Sequence, residues 1–150
     1  MFEQRQFCTF FVNGSYFGIE VQHIQEVVGY KQITHVPLAP SDICGLINLR
    51  GQIITTINLR RRLDLSESSA QSLPSGEQLA FVVVRDGDEL VSLLVDEVED
   101  ILEVTQDKFE PPPKTIQDRM RQFIHGAYKL KDKLLLILNT EKILEVKSTM

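Results

Sequence analysis

The chain has 150 residues, of which 43% are hydrophobic and 25% charged, and its formal net charge is −5. This composition is typical of a globular domain with a buried core and argues against global disorder. The negative charge argues against nucleic acid or an anionic membrane surface as the main partner, since both favour basic proteins.

The compartment is predicted from three further features. The first residues, MFEQRQ, lack the apolar stretch of a signal peptide. The apolar runs are short, such as residues 79–84 and 134–138, whereas a membrane helix needs about 20 residues. Cys8 and Cys44 are too few for a disulfide framework and each lies in an apolar run, so we expect buried free thiols. Together these features predict a cytoplasmic protein of bacterial type.

Four pairs of short apolar segments separated by turn residues predict four β-hairpins. The paired segments are residues 7–12 and 16–19, 47–50 and 52–59, 79–84 and 90–95, and 128–130 and 134–138. Asn13-Gly14 is the strongest turn signal among them. Regularly spaced hairpins favour a barrel or sandwich over a βαβ fold, and no internal repeat is visible in the sequence.

Helix signals are few and short. A two-turn helix over residues 20–28 is predicted from apolar residues at intervals of three and four, namely Val21, Ile24, Val27 and Val28. Asn139 is a suitable N-cap for a second helix over residues 140–146. Residues 40–42, Pro-Ser-Asp, are compatible with a single helical turn.

Two segments depart from the average composition. Residues 66–78, SESSAQSLPSGEQ, predict either a long surface loop or a junction between two small barrels, with approximate halves 1–65 and 79–150. Exchange of strands between the halves is left open. Residues 86–110 contain ten acidic residues and one basic residue, which predicts an acidic face that is either simply solvated or steers a basic partner.

Signatures of catalysis are absent from the sequence. It has no glycine-rich phosphate motif, no G-x-S-x-G elbow and no clustered metal ligands, and His23, His35 and His125 are isolated from one another. A nucleic-acid site would combine basic residues with aromatic side chains that stack on bases. The basic run at residues 60–62 has no aromatic residues beside it, and we interpret it as a solvated edge. We therefore expect no catalytic residues, no cofactor and no metal.

Residues 36–63, VPLAPSDICGLINLRGQIITTINLRRRL, are the most informative segment. They follow an F-x-x-F strand pair and V-x-x-I-Q-E-V, and they precede V-V-V, L-L-V-D-x-V and N-x-E-K-I-L. In this order, and over nearly the whole chain, the motifs resemble the CheW family, the coupling proteins of bacterial chemosensory arrays.

The resemblance implies a mainly β fold of two small five-stranded barrels, SH3-like or OB-like, packed together with short helices. It implies a non-enzymatic adaptor that couples the cytoplasmic tip of methyl-accepting chemoreceptors to the regulatory domain of a CheA-type histidine kinase. It also implies recruitment to receptor arrays at the inner face of the membrane. No receiver domain is expected, because only 12 residues follow residue 138.

The resemblance further implies two contact surfaces. The receptor groove between the barrels corresponds here to Val21, Ile24, Glu26, Val27, Ser92 and Val98. The kinase and array contact corresponds to Gly45, Asn48, Leu49, Arg50 and Gly51. An ion pair is expected between Glu26 and Arg50. The family often has proline at Thr55, aspartate at Asn58 and glycine at Ser92, and the last departure could change the preference for a partner.

Two alternative functions remain open from the sequence. The same fold could serve another chemosensory pathway, such as twitching motility. A β-barrel that binds a small ligand or nucleic acid is the alternative from a different class, and a basic groove or a metal cluster would favour it. Neither feature is visible in the sequence.

Overall fold

The structure, a computed structural model, describes residues 3–65 and 78–145. Its strands are β1 Gln4–Val12, β2 Ser15–Glu20, β3 Ile24–Gly29, β4 Ile43–Leu49, β5 Gln52–Asn58, β6 Ala80–Asp86, β7 Glu89–Val95, β8 Glu97–Thr105, β9 Ile124–Lys129 and β10 Leu134–Leu138. Its helices are α1 Leu59–Arg62, α2 Asp118–Arg121 and α3 Thr140–Leu144, with 3₁₀ turns at Val21–His23 and Gln106–Lys108. Within the described residues, no helix is long and apolar enough to cross a bilayer. Nearly all of the predicted linker, residues 66–77, lies outside them.

The strands form two five-stranded sheets, which confirms the mainly β prediction. Sheet 1 has the order β8-β1-β2-β10-β9, and sheet 2 has the order β3-β6-β7-β5-β4. All four predicted hairpins are present, as β1–β2, β4–β5, β6–β7 and β9–β10. Each sheet takes strands from both sides of residues 66–77, so this segment does not separate the two sheets in the chain.

The two sheets have the same arrangement of five strands. They differ in the point of the chain at which that arrangement starts. Sheet 2 uses β3 to β7, whereas sheet 1 uses β8 to β10 followed by the N-terminal hairpin β1–β2. Each sheet contains one parallel pair, β5 with β7 and β10 with β2. The registers also agree, since Gly45 lies opposite Thr56 in sheet 2 and Gly126 lies opposite Ile137 in sheet 1. The structure therefore contains a repeat that the sequence does not show.

Each sheet is bridged between its two edges by the segment that follows one edge strand. After β3, Thr34 exchanges two backbone hydrogen bonds of 2.8 Å with Leu46 of β4. After β8, Glu110 makes the same exchange with Ala127 of β9. The close approach requires glycine at Gly45, whose φ is +147° and where a Cβ would lie 2.2 Å from the Thr34 carbonyl oxygen. Both sheets are thus curled, and in each the bridge connects the segment after one edge strand with the opposite edge strand.

Both faces of each sheet are buried, which explains the continuous apolar runs in β6 and β10. Along β6, Val82 and Val84 contribute to a central core between the sheets, whereas Phe81 and Val83 face a smaller cluster inside sheet 2. Strand β10 alternates in the same way between the central core and a cluster inside sheet 1. Full burial of such a side chain contributes about 1.5–3 kcal/mol, so the central core holds the two sheets together.

The helix predicted over residues 20–28 is wrong. A 3₁₀ turn at Val21–His23 is followed by β3, which pairs with β6 so that Val27 lies opposite Val82 and Val28 opposite Phe81. Valine and isoleucine have low helix propensity and pack well on a pleated surface. Pairing with the buried strand β6 therefore outweighs the helical spacing.

The interpretation of residues 60–62 as a solvated edge holds for the exposed Arg61 but is wrong for Arg60 and Arg62. Arg60 is paired with Asp96 at 3.0 Å and Arg62 with Asp42 at 3.0 Å, and the two arginine side chains are only 17% and 8% exposed. Asp96 lies between β7 and β8 and also accepts a hydrogen bond of 2.7 Å from the backbone N–H of Asn13. These contacts tie α1 to both sheets.

The remaining local predictions have mixed outcomes. Asn139 caps α3 as predicted, its side-chain oxygen accepting from the backbone N–H of Lys142 at 3.2 Å, although residue 146 lies outside the described part. Residues 40–42 form a turn and no helix. The acidic segment 86–110 contains an unpredicted strand, β8, which pairs with β1 and has several exposed acidic side chains.

Candidate functional site

The expected ion pair between Glu26 and Arg50 is present. Arg50 donates from Nη1 to Glu26 Oε2 at 2.5 Å and from Nη2 to Oε1 at 2.8 Å, a bidentate arrangement that lysine cannot reproduce. The hydrogen bonds from Arg50 lower the pKa of the Glu26 carboxyl, and Glu26 in turn raises the pKa of Arg50. The pair therefore stays ionised at neutral pH and weakens only when acid protonates Glu26.

The tip of the β4–β5 hairpin fixes the position of Arg50. Arg50 and Gly51 both have positive φ, 53° and 87°, as a tight two-residue turn requires. The side-chain oxygen of Asn48 accepts a hydrogen bond of 2.8 Å from the backbone N–H of Gly51. Leu49 is 5% exposed and anchors the tip in the inner cluster of sheet 2. The guanidinium is thus held at the surface, with 71% of its side chain exposed.

The residues expected in the receptor groove on the first part of the chain differ in exposure. Val27, on the edge strand β3, is 40% exposed and is available for contact. Val21 is half-buried in the 3₁₀ turn before it, and Ile24 is half-buried against the central core. Gly45, which was expected in the kinase contact and not in the groove, is buried and positions β4 against the bridging segment without presenting a side chain. Glu26 and Val27 therefore form the accessible part of this surface.

The two later groove residues lie deeper. Ser92 is 0% exposed in the middle of β7, opposite Thr56 of β5, and neither hydroxyl has a hydrogen-bond partner among the described residues. Val98, on β8, lies opposite Phe10 and packs partly buried against the central core. In this structure Ser92 does not reach the surface, and Val98 reaches it only in part.

The structure brings some of these residues together and separates others. Glu26 and Arg50, from different strands of sheet 2, are in direct contact. Val27 and Val98 lie on β3 and β8, which are edge strands of different sheets. The sequence analysis missed Ile101 on β8, which is 55% exposed and occupies the place in sheet 1 that Val27 has in sheet 2. The equivalence of Ile101 and Val27 follows from the structural repeat, which the sequence does not show.

The described residues show no group of three or more His, Cys, Asp or Glu side chains that could hold a metal ion. The two cysteines are free, with Cys8 buried and Cys44 half-buried. Burial raises the pKa of Cys44 to about 12, so its thiol is protonated at neutral pH. Neither cysteine is thus an activated nucleophile.

Comparison with known proteins gives consistent matches over almost the whole chain. The chemotaxis protein CheW of Treponema pallidum is 29% identical over 147 residues, which are 97% of this chain and 85% of that protein. CheW of Bacillus subtilis is 29% identical over 141 residues, 94% of this chain and 87% of that protein. The crystal structure of the scaffolding protein TtCheW from Thermoanaerobacter tengcongensis has a TM-score of 0.83 and 27% identity, covering 97% of this chain and 90% of that one.

Two curled five-stranded sheets around a shared core define a mainly β domain with the fold of the scaffolding protein TtCheW. The family model described as CheW-like domain matches residues 6–148. The chain belongs to the CheW family.

Proposed function

We propose that this protein is a non-enzymatic adaptor that couples methyl-accepting chemoreceptors to a CheA-type histidine kinase. The family match over residues 6–148, and relatives named as chemotaxis and scaffolding proteins, support a role in chemosensory signalling. The bidentate pair of Glu26 and Arg50 carries the proposal, because it holds two charges in one fixed geometry at the surface. A rigid surface of this kind suits an adaptor, since little conformational freedom is lost when the partner binds.

The receptor contact is proposed for the outer side of β3. Val27 offers an exposed apolar side chain beside the ionised Glu26, and Val21 lies in the turn before the strand. A helical receptor tip presents apolar residues at intervals of three and four, which fit an apolar surface with a polar rim. Ile24 and Val98 pack against the central core and support this surface from below, and the buried Ser92 acts on it only through packing.

The kinase contact is proposed for the β4–β5 tip. Asn48, Arg50 and Gly51 are exposed there, while Leu49 and Gly45 hold the hairpin in place. Because Arg50 is paired with Glu26 of the receptor surface, the two contacts share one ion pair. In this proposal the protein is cytoplasmic and joins receptor arrays at the inner face of the membrane through its partners, without a cofactor or metal.

The test is kinase activation in an array reconstituted from receptor fragments, a CheA-type kinase and this protein. Arg50→Glu places two carboxylates side by side, and we expect it to reduce kinase activation at least tenfold while the melting temperature stays unchanged. Arg119→Glu is the matched control, because Arg119 is 76% exposed and is paired with Asp64 at 3.0 Å. Normal activation by Arg50→Glu, or an equal loss with Arg119→Glu, would contradict the proposal.

A further inference from the structure

The end of sheet 1 contains a cavity that the coupling role does not use. Its volume is about 380 Å³, within the range of roughly 300–1,000 Å³ that is typical of small-molecule sites. The floor is apolar and mostly aromatic, formed by Phe7, Phe109, Tyr128 and Ile137. The rim is polar, formed by Arg5, Glu20, His23, Gln106, His125 and Glu141.

The structural repeat allows a comparison within the protein, because each residue at this end of sheet 1 has an equivalent position in sheet 2. Three polar residues of sheet 1 have counterparts of a different kind in sheet 2, in the pairs Arg5 and Leu79, Glu20 and Leu94, and His125 and Cys44. Leu79 and Leu94 are 8% and 5% exposed and belong to the inner cluster of sheet 2, and Cys44 packs against it. The fold therefore does not require polar residues at this end of a sheet, because apolar side chains fill the corresponding end of sheet 2.

Charge at the rim is predominantly negative. Arg5 is neutralised by Glu20, its Nη1 donating to Glu20 Oε2 at 2.6 Å. Glu141 adds a second carboxylate, and among the described residues no basic side chain lies within ion-pair distance of it. Asp107, next to Gln106, lies close enough for its negative charge to raise the pKa of Tyr128 on the floor. The rim thus favours a cationic group.

The floor offers aromatic faces in a fixed arrangement. The Phe109 ring centroid lies 5.4 Å from that of Tyr128 and 5.7 Å from that of His125. Gly126 allows this placement, because a Cβ there would lie 2.1 Å from the Phe109 ring. Burial raises the pKa of Tyr128, so its hydroxyl remains a neutral donor. Aromatic faces attract organic cations as well as apolar groups.

We propose that this cavity binds a small organic cation, an ammonium group carried on an aromatic body. The aromatic body packs on Phe109 and Tyr128, and the ammonium pairs with Glu141, the rim carboxylate that no basic side chain of the described residues neutralises. His23 of the rim belongs to the 3₁₀ turn that leads into β3, so an occupant also contacts the element next to the proposed receptor surface. The site itself is separate from Val27 and from the β4–β5 tip.

The first test is an NMR titration of the intact protein with three probes. Phenethylamine carries a ring and an ammonium, phenylacetate a ring and a carboxylate, and Nα-acetyl-lysine amide an ammonium without a ring. We expect phenethylamine to shift the amides of Gln106, His125 and Tyr128, with a dissociation constant at least fivefold below those of the other two. Shifts elsewhere, equal binding of phenylacetate, or tighter binding of the lysine compound would overturn the assignment.

The second test uses variants of the rim. Glu141→Gln removes one exposed carboxylate and is expected to weaken phenethylamine binding at least threefold. Glu103→Gln makes the same change on the exposed side of β8, outside the cavity, and should leave binding unchanged. The double variant Arg5→Leu with Glu20→Leu copies sheet 2 and should abolish binding. If that variant does not fold, the comparison of Glu141→Gln with Glu103→Gln still decides, and equal affinities of the two would refute the proposal.

Discussion

The roles of individual residues in sheet 2 could be predicted from the sequence only in part. The pair of Glu26 and Arg50 was expected because both residues belong to motifs of a recognisable family. The need for glycine at Gly45 was not visible, because the atom that a Cβ would meet belongs to Thr34, in the bridging segment. Likewise, the burial of Ser92 follows from pairing between β5 and β7 and not from its own neighbours in the chain.

Gly45→Ala tests this requirement. Both the positive φ and the 2.2 Å approach to the Thr34 carbonyl oxygen oppose a side chain, so we expect a loss of about 2–4 kcal/mol in the free energy of unfolding. Gly29→Ala is the control, because a Cβ there meets no atom of the described part of the chain within 4 Å. Urea unfolding followed by circular dichroism measures both, and equal midpoints for the two variants would show that the bridge tolerates a side chain.

Among the strands, the four hairpins with their own turn signals were predicted, and the edge strands β3 and β8 were not. The β1–β2 hairpin has its own turn chemistry, and both Asn13 and Gly14 adopt the positive φ that such a turn needs. By contrast, β3 and β8 are edge strands, and they are specified by pairing with β6 and β1 from other parts of the chain. At β3 the valine spacing matched a helix, and at β8 the acidic residues obscured the strand pattern.

Because side chains alternate between the two faces of strand β3, neighbouring valines are expected to respond differently to the same substitution. Val27 is 40% exposed whereas Val28 packs against the inner cluster of sheet 2, so Val27→Glu should keep the native melting temperature and Val28→Glu should lower it strongly. Binding of a receptor-tip fragment to Val27→Glu should fall at least tenfold, which corresponds to about 1.4 kcal/mol. Val98→Glu is a poorer probe, because Val98 packs against the central core.

Ile101→Glu is the control for this change, because Ile101 is the exposed equivalent of Val27 on sheet 1. Calorimetric titration of each variant with the same receptor fragment gives the affinities. Equal losses for Val27→Glu and Ile101→Glu would place the receptor contact outside β3.

In the molecule as a whole, the two sheets are interleaved along the chain and share one core. Strands before residue 66 and after residue 77 contribute to both sheets, and the central core contains side chains from each. The cavity at the end of sheet 1 was not predicted for the same reason. Its lining comes from β1, β2, β9, β10 and the segments after β2, β8 and β10, so no local pattern marks it.

Interleaving predicts how the protein behaves when the chain is cut within residues 66–77. Fragment 1–65 contains β1 to β5. It lacks β6 and β7, which join β3 to β5 in sheet 2, and it lacks β8 and β10, which flank the β1–β2 hairpin in sheet 1. Fragment 78–150 lacks β1, β2 and β5, so β8 loses its partner and β7 becomes an edge. Each fragment therefore exposes its share of the central core, and we expect each alone to give the circular dichroism spectrum of an unfolded chain. An equimolar mixture should recover the spectrum and the dispersed NMR amide signals of the intact protein, because every missing strand is then supplied. Cooperative thermal unfolding of either fragment alone would show instead that one half of the chain is an independent folding unit.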